Sequence, residues 1–162
     1  MMSMTHYMEL LADNQPWNLL IYMAVPVILA ETIAVSELYI LFTRNTKGIV
    51  KTINKIAGII VGFYFLIIFF QLFFKAVIPI TTSGEWRTII DVIAVGFYLL
   101  GVVPLFGISL LELGLIGKFK GEEWKLKIHA IFVAIFLVVA HIAMIFGMMS
   151  PALLSGNSPH NM

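Results

Sequence analysis

A chain of 162 residues in which 60% of the side chains are hydrophobic and 12% are charged is too apolar for an ordinary soluble domain, where about a quarter of residues carry charge. The net charge of +1 gives no basic surface for nucleic acid, because the basic residues gather beside apolar segments, where they suit lipid headgroups instead. The absence of cysteine excludes disulfides, thiolate metal sites and thiol chemistry.

The opening stretch, MMSMTHYMELLADNQP, carries Glu9 and Asp13 and no Lys or Arg. It lacks the basic start of a cleaved signal peptide and is expected to stay on the chain. The first helix is predicted over about residues 17–42, with Asp13 or Asn14 as its cap, Pro16 in the first turn and Trp17 at the membrane interface. A second, crowded with aromatic residues, is predicted over about 53–77, and its interior polar groups are Asn54 and Gln71. After a small polar turn from Pro79 to Trp86, a third is predicted over about 88–116, with Pro104 near its middle. The fourth is predicted over about 124–149 and leaves a tail, 150–162, that is expected to be mobile. Each window exceeds the roughly 20 residues needed to cross a hydrocarbon core. Short connectors make consecutive helices antiparallel. The expected fold is all-α, an integral membrane four-helix up-and-down bundle forming a single domain over 1–162.

Eight of the ten basic residues flank the first and third connectors: Arg44, Lys47, Lys51 and Lys55 around one, Lys118, Lys120, Lys125 and Lys127 around the other. The second connector has only Lys75 and Arg87. Because cytoplasmic loops carry the excess of Lys and Arg, the first and third loops are expected on the cytoplasmic side of the cytoplasmic (inner) membrane and both termini outside.

A weak repeat is visible. Val25-Pro26 followed by Ser36-Glu37-Leu38 is echoed by Val103-Pro104 followed by Leu111-Glu112-Leu113, and Lys55-Ile56-Ala57 by Lys127-Ile128-His129. The echo suggests a duplicated two-helix hairpin in which Glu37 and Glu112 are equivalent; chance recurrence of Leu-rich runs is the alternative. Small-residue pairs such as Gly58-x-x-x-Gly62 and Ala143-x-x-x-Gly147 predict close helix approach within a bundle or an oligomer. The Val-Gly-Phe-Tyr doublet places Tyr64 and Tyr98 near mid-depth, where each hydroxyl is expected to bond a neighbouring carbonyl, a place beside a quinone or haem being the alternative.

Ionisable groups inside the apolar windows carry the functional expectation, since a charge at the bilayer centre costs about 2.5–3.5 kcal/mol on insertion scales. Glu31 falls near the midplane, whereas Glu37 lies about 9 Å further along and is rotated by about 240°. Counting depth along the other helices groups Glu37, Glu112 and His129 toward the cytoplasmic side, with Lys55 and Lys127 at the boundary. Asp91 and His141 fall together toward the outer side and are expected within hydrogen-bonding reach of each other. Glu37, Glu112 and His129 are a plausible donor set for a divalent metal and equally for a proton relay. The two membrane histidines lie on one helix about 18 Å apart, so one chain cannot supply the usual pair of axial haem ligands. Met1, Met2, Met4, His6 and Met8, with Met144, Met148, Met149, His160 and Met162, are a soft donor set of the kind that takes Cu(I), although packing methionines explain them equally.

The leading expectation is therefore a small permease-like protein in the lipid bilayer, a homo-oligomer or a subunit of a membrane complex. It would move protons or a cation through Glu31, Glu37, Glu112, His129, Asp91 and His141. The alternatives are a membrane redox subunit holding a haem or metal near His129 or His141 and meeting quinone, and a non-catalytic assembly subunit. Glu31 is expected to serve function and Glu37 partly structure.

Overall fold

The computed structural model describes residues 4–150. A short helix α1 (His6–Ala12) precedes four long ones, α2 (Trp17–Thr43), α3 (Ile49–Ser83), α4 (Ile89–Glu112) and α5 (Glu122–Met148). All four are long and apolar enough to cross a membrane, and the described residues contain no strand. The protein is an all-α membrane four-helix bundle.

Boundaries differ from the expected ones where local chemistry overrides hydropathy. The Leu-rich run after Glu112 does not extend α4, because Gly114 and Gly117 take left-handed conformations, φ 75° and 70°, that glycine adopts at little cost. The ring of Trp124 packs onto Gly117. Elsewhere, α3 begins at Ile49, after Gly48 as N-cap, so that Lys51 joins Asn54 in the helix rather than belonging to the loop before it.

Three membrane helices depart from regular geometry just before a proline. Proline lacks the N–H that would bond the carbonyl four residues back, and its ring crowds that carbonyl. The chain widens to a π-type turn at Leu20–Ala24 before Pro26 and at Phe73–Val77 before Pro79, and it breaks at Gly101 before Pro104. Such widened turns are a usual accommodation within a helix. Only α5 runs unbroken.

The helices pack in chain order. α3 lies against α2 on one side and the second half of α4 on the other, while α5 covers α4 along its length. Ile33, Val61, Phe65, Leu105, Ile108, Val133 and Phe136 fill the centre. The approach of α3 to α4 depends on small residues, as the Gly58-x-x-x-Gly62 spacing implies. The Ser109 hydroxyl reaches the Gly58 carbonyl at 2.8 Å, and Ile108 seats over Gly58. α2 and α5 meet near the loops that carry the basic residues and diverge toward the α1 end. Outside the bundle proper, α1 lies across that far end, its Leu11 buried and its Tyr7 ring 5.1 Å from the ring of Tyr98.

A Cβ at Gly62 would sit 2.5 Å from the Leu105 carbonyl oxygen and overlap the Ser109 hydroxyl, whereas one at Gly96 meets open space. Gly62→Ala is expected to destabilise the bundle by about 1–3 kcal/mol through overpacking, and Gly96→Ala to leave it unchanged. The thermal midpoints of the two variants, purified side by side in the same detergent, measure the difference.

Candidate functional site

Depth counting placed Glu37, Glu112 and His129 together, and they meet. The His129 ring, 1% exposed, lies between the two carboxylates: Nδ1 is 2.8 Å from Glu37 Oε2 and Nε2 is 3.4 Å from Glu112 Oε1. Each side chain comes from a different helix, α2, α4 and α5. α3 completes the cluster with two groups. The Asn54 amide nitrogen donates to Glu37 Oε2 at 3.2 Å, to the Ser36 hydroxyl at 2.9 Å and to the Ile33 carbonyl at 3.3 Å, while Lys51 Nζ lies 3.0 Å from Glu112 Oε1. A polar cleft of about 250 Å³ leads from the basic end to Glu112, lined by Thr46, Lys51, Lys55, Glu122 and Lys125. Lys55 thus borders the entrance, but Lys51 makes the ion pair, and Lys127 is exposed.

The arrangement bridges; it does not chelate. The two nitrogens of an imidazole face away from each other, so a carboxylate on each cannot converge with the ring on one ion. Among the described residues no group of three His, Asp or Glu side chains is set to hold a metal, which corrects the expected metal site at Glu37, Glu112 and His129. The same geometry suits proton passage, because an imidazole can take a proton at one nitrogen and release one at the other. Glu37 Oε1, Asn54 Oδ1 and both ring nitrogens of His129 are buried and make no hydrogen bond among the described residues, so the ring meets the two carboxylates as ion-pair contacts at 2.8 and 3.4 Å.

Glu31 stands apart from this cluster. It is exposed at mid-length of α2, on the wall of a lateral groove of about 250 Å³ between α2 and α5 that also exposes His141. The groove is otherwise apolar and strongly aromatic, with Tyr22, Phe97, Tyr98 and Phe136 among its lining. Two tyrosines, Tyr98 from the groove and Tyr64 of α3, hold the kink of α2. Pro26 cannot bond the Tyr22 carbonyl, and the Val25 N–H is drawn to Leu20 O, which also releases the Ile21 carbonyl. Tyr98 donates to Tyr22 O at 2.6 Å and Tyr64 to Ile21 O at 3.0 Å. The expected tyrosine-to-carbonyl bonds are thus present, with the freed carbonyls as their cause. Gln71 joins them, donating to the Tyr22 hydroxyl at 2.9 Å.

The expected pairing of Asp91 with His141 is not formed. Asp91, 0% exposed, receives the His6 backbone N–H at 2.7 Å and contacts the His6 ring, whereas His141 turns its Nδ1 to its own helix at Leu137 O, 2.6 Å away. Depth is the reason. Asp91 is in the first turn of α4, about 3 Å from its start, whereas His141 is seven residues before the end of α5, about 10 Å in. α1 occupies the space above Asp91. It is fastened at three further points: Arg87 bonds the Met4 carbonyl and, at 2.6 Å, the Glu9 carboxylate, while Thr5 caps α1 and donates to Gly147 O at 2.7 Å. Sequence reading missed this latch; the Thr5 cap before a seven-residue helix was its only local signal. A pocket of about 350 Å³ behind α1 exposes His6, Glu9 and Asp13 and shares Tyr7 and Tyr98 with the lateral groove.

His6 is therefore engaged by Asp91, and Met8 packs against the core. Met1, Met2, His160 and Met162 lie outside the described residues, as does the expected mobile tail beyond residue 150.

The chain belongs to a family of unknown function, DUF6803, whose family model matches residues 2–162. No curated protein and no solved structure matches it.

Removing the bridging ring leaves two carboxylates confronting each other in a buried site, and loss of one partner from a buried ionic contact costs about 3–5 kcal/mol. His129→Ala is expected to lower stability by that order, and adding Glu37→Gln to restore part of the loss; denaturation of the single and double variants checks both. At the other end, burial pushes the Tyr7 phenol from its ordinary 10.0 up to about 12. A raised folded value favours the neutral phenol, so this contribution to α1 docking is complete below pH 10 and fades as pH climbs from 10 toward 12. Protease accessibility of the N-terminal segment across that window should rise in the wild type and less in Tyr7→Phe.

Proposed function

Within this family of unknown function, we propose that the protein is a small permease moving protons, or a cation exchanged for them, across the cytoplasmic membrane. The observation that carries the reading is the buried His129 held between Glu37 and Glu112. Charged groups so deep are costly unless they serve a polar path, and an imidazole with a carboxylate at each nitrogen is a relay. By the asymmetry of Lys and Arg, the basic end faces the cytoplasm and both termini lie outside. The cytoplasmic cleft then delivers protons to Glu112, His129 passes them to Glu37, and the outer half of the path uses Glu31 and His141 in the groove, with the pocket behind α1 as its exit. Asp91 serves this path as the anchor of α1. Two apolar stretches interrupt it: the packed layer around Ile33 and Phe65, and the paired rings of Tyr7 and Tyr98. Both separate compartments that alternating access would join in turn. Each chain carries the full path, so a homo-oligomer is a matter of assembly and leaves the chemistry unchanged.

Proton flux into liposomes loaded with a pH-sensitive dye tests the reading. Glu37→Gln and His129→Gln are each expected to slow flux at least tenfold, while Lys127→Gln, on an exposed side chain outside the path, leaves it at the wild-type rate. Wild-type flux in both relay variants, reconstituted at equal density, sinks the permease reading.

A further inference from the structure

The lateral groove points to a ligand class. Glu31 forms no hydrogen bond or ion pair among the described residues, although it sits at mid-length of a membrane helix, where a lone carboxylate is costly. Every other intramembrane carboxylate of this chain has a partner: Asp91 has His6, and Glu37 and Glu112 share His129. The imidazole of the groove can also accept. With Nδ1–H donated to Leu137 O, neutral His141 leaves its Nε2 as a lone pair. No Lys or Arg lines the groove. Its walls are instead aromatic, with Phe65, Phe97, Tyr98 and Phe136, and aromatic faces attract cations and form the cages that recognise quaternary ammonium groups.

A carboxylate, an acceptor nitrogen and a ring-lined apolar cavity that opens sideways are complementary to one kind of molecule. We propose that the groove between α2 and α5 binds a lipid-soluble organic cation, an amine or quaternary ammonium with an apolar body, whose charge meets Glu31 while its body lies against the aromatic wall. A volume of about 250 Å³ is just under the roughly 300–1,000 Å³ of sites for drug-sized ligands. It admits a small amphiphile, or the head of a larger one whose tail extends through the lateral opening into lipid. The proposal deepens the permease reading and rests on it for what is transported: the cation taken from the membrane is exchanged for protons delivered through His129.

Benzyltrimethylammonium and neopentylbenzene have the same shape and differ in charge, and benzenesulfonate reverses the charge. Calorimetry with the full chain in nanodiscs of zwitterionic phosphatidylcholine compares the three. The cation is expected to bind at least tenfold more tightly than either other probe. Glu31→Gln should weaken its binding at least tenfold with an unchanged thermal midpoint, and Phe97→Leu severalfold. Equal binding of cation and neutral isostere to the wild type overturns the proposal whether or not any variant folds, as does undiminished binding to a folded Glu31→Gln. His129→Gln separates the two readings, since it is expected to slow flux at least tenfold and leave binding intact. Binding without any His129-dependent flux in the wild type would uphold the site and remove the permease; flux without cation binding would do the reverse.

Discussion

A polar group inside a hydrocarbon slab has to find its partner within the protein, because no water is there to supply one. Most of the architecture follows from that constraint. The prolines of α2, α3 and α4 each withdraw a donor from the backbone, and the chain answers locally by widening a turn or breaking the helix. In α2 the answer extends to two other helices, whose tyrosines donate to the carbonyls of Ile21 and Tyr22. Those two bonds tie α3 and α4 to α2 at a chosen height. Thr5 does the same service at the free end of α5, accepting an N–H of its own helix and donating to the Gly147 carbonyl.

Charged groups obey the same rule with higher stakes, and they divide into two kinds. Asp91, Glu37 and Glu112 are enclosed and partnered, and each partner comes from a distant part of the chain, so these contacts fix which helices are neighbours. Glu31 fixes nothing. A side chain that bears the cost of membrane depth without joining the scaffold is the strongest local reason to regard the groove as a working surface. Its separation from Glu37, about 9 Å along the same helix, puts an unpartnered carboxylate and a partnered one within a single stretch of α2.

Much of this was legible in the residues. The four spans follow from hydropathy alone, and counting 1.5 Å per residue was enough to bring Glu37, Glu112 and His129 to one depth. It failed for His141 and Asp91 because it treated two helices as if they ended at the same height, and because it left no room for α1. That helix was invisible: seven residues have no periodicity to read, and its four fastenings, at Thr5, His6, Glu9 and the Met4 carbonyl, use partners found only in three dimensions. Lys51 was hidden differently, since a lysine near a basic loop looks like part of it, yet Gly48 starts the helix early enough to carry it inward; Asn54 was placed in the helix, but its partners on α2 come from the fold alone. The expected bridging of tyrosine to carbonyl held because proline had already advertised which carbonyls would be free.

The irregular turns are not spread evenly along the helices. Leu20–Ala24 and Phe73–Val77 lie toward the α1 end and the break at Gly101 lies at mid-length of α4, while the ends of these helices near the basic loops are regular and cross-braced by the Glu37, His129 and Glu112 contacts. Mechanically the bundle is a stiff base carrying a compliant crown. Lateral pressure would therefore be taken up more toward the α1 end than at the braced end. A change in lipid thickness or curvature on that side would alter the spread of α2 from α5, with α5 as the unbent post against which the others lean.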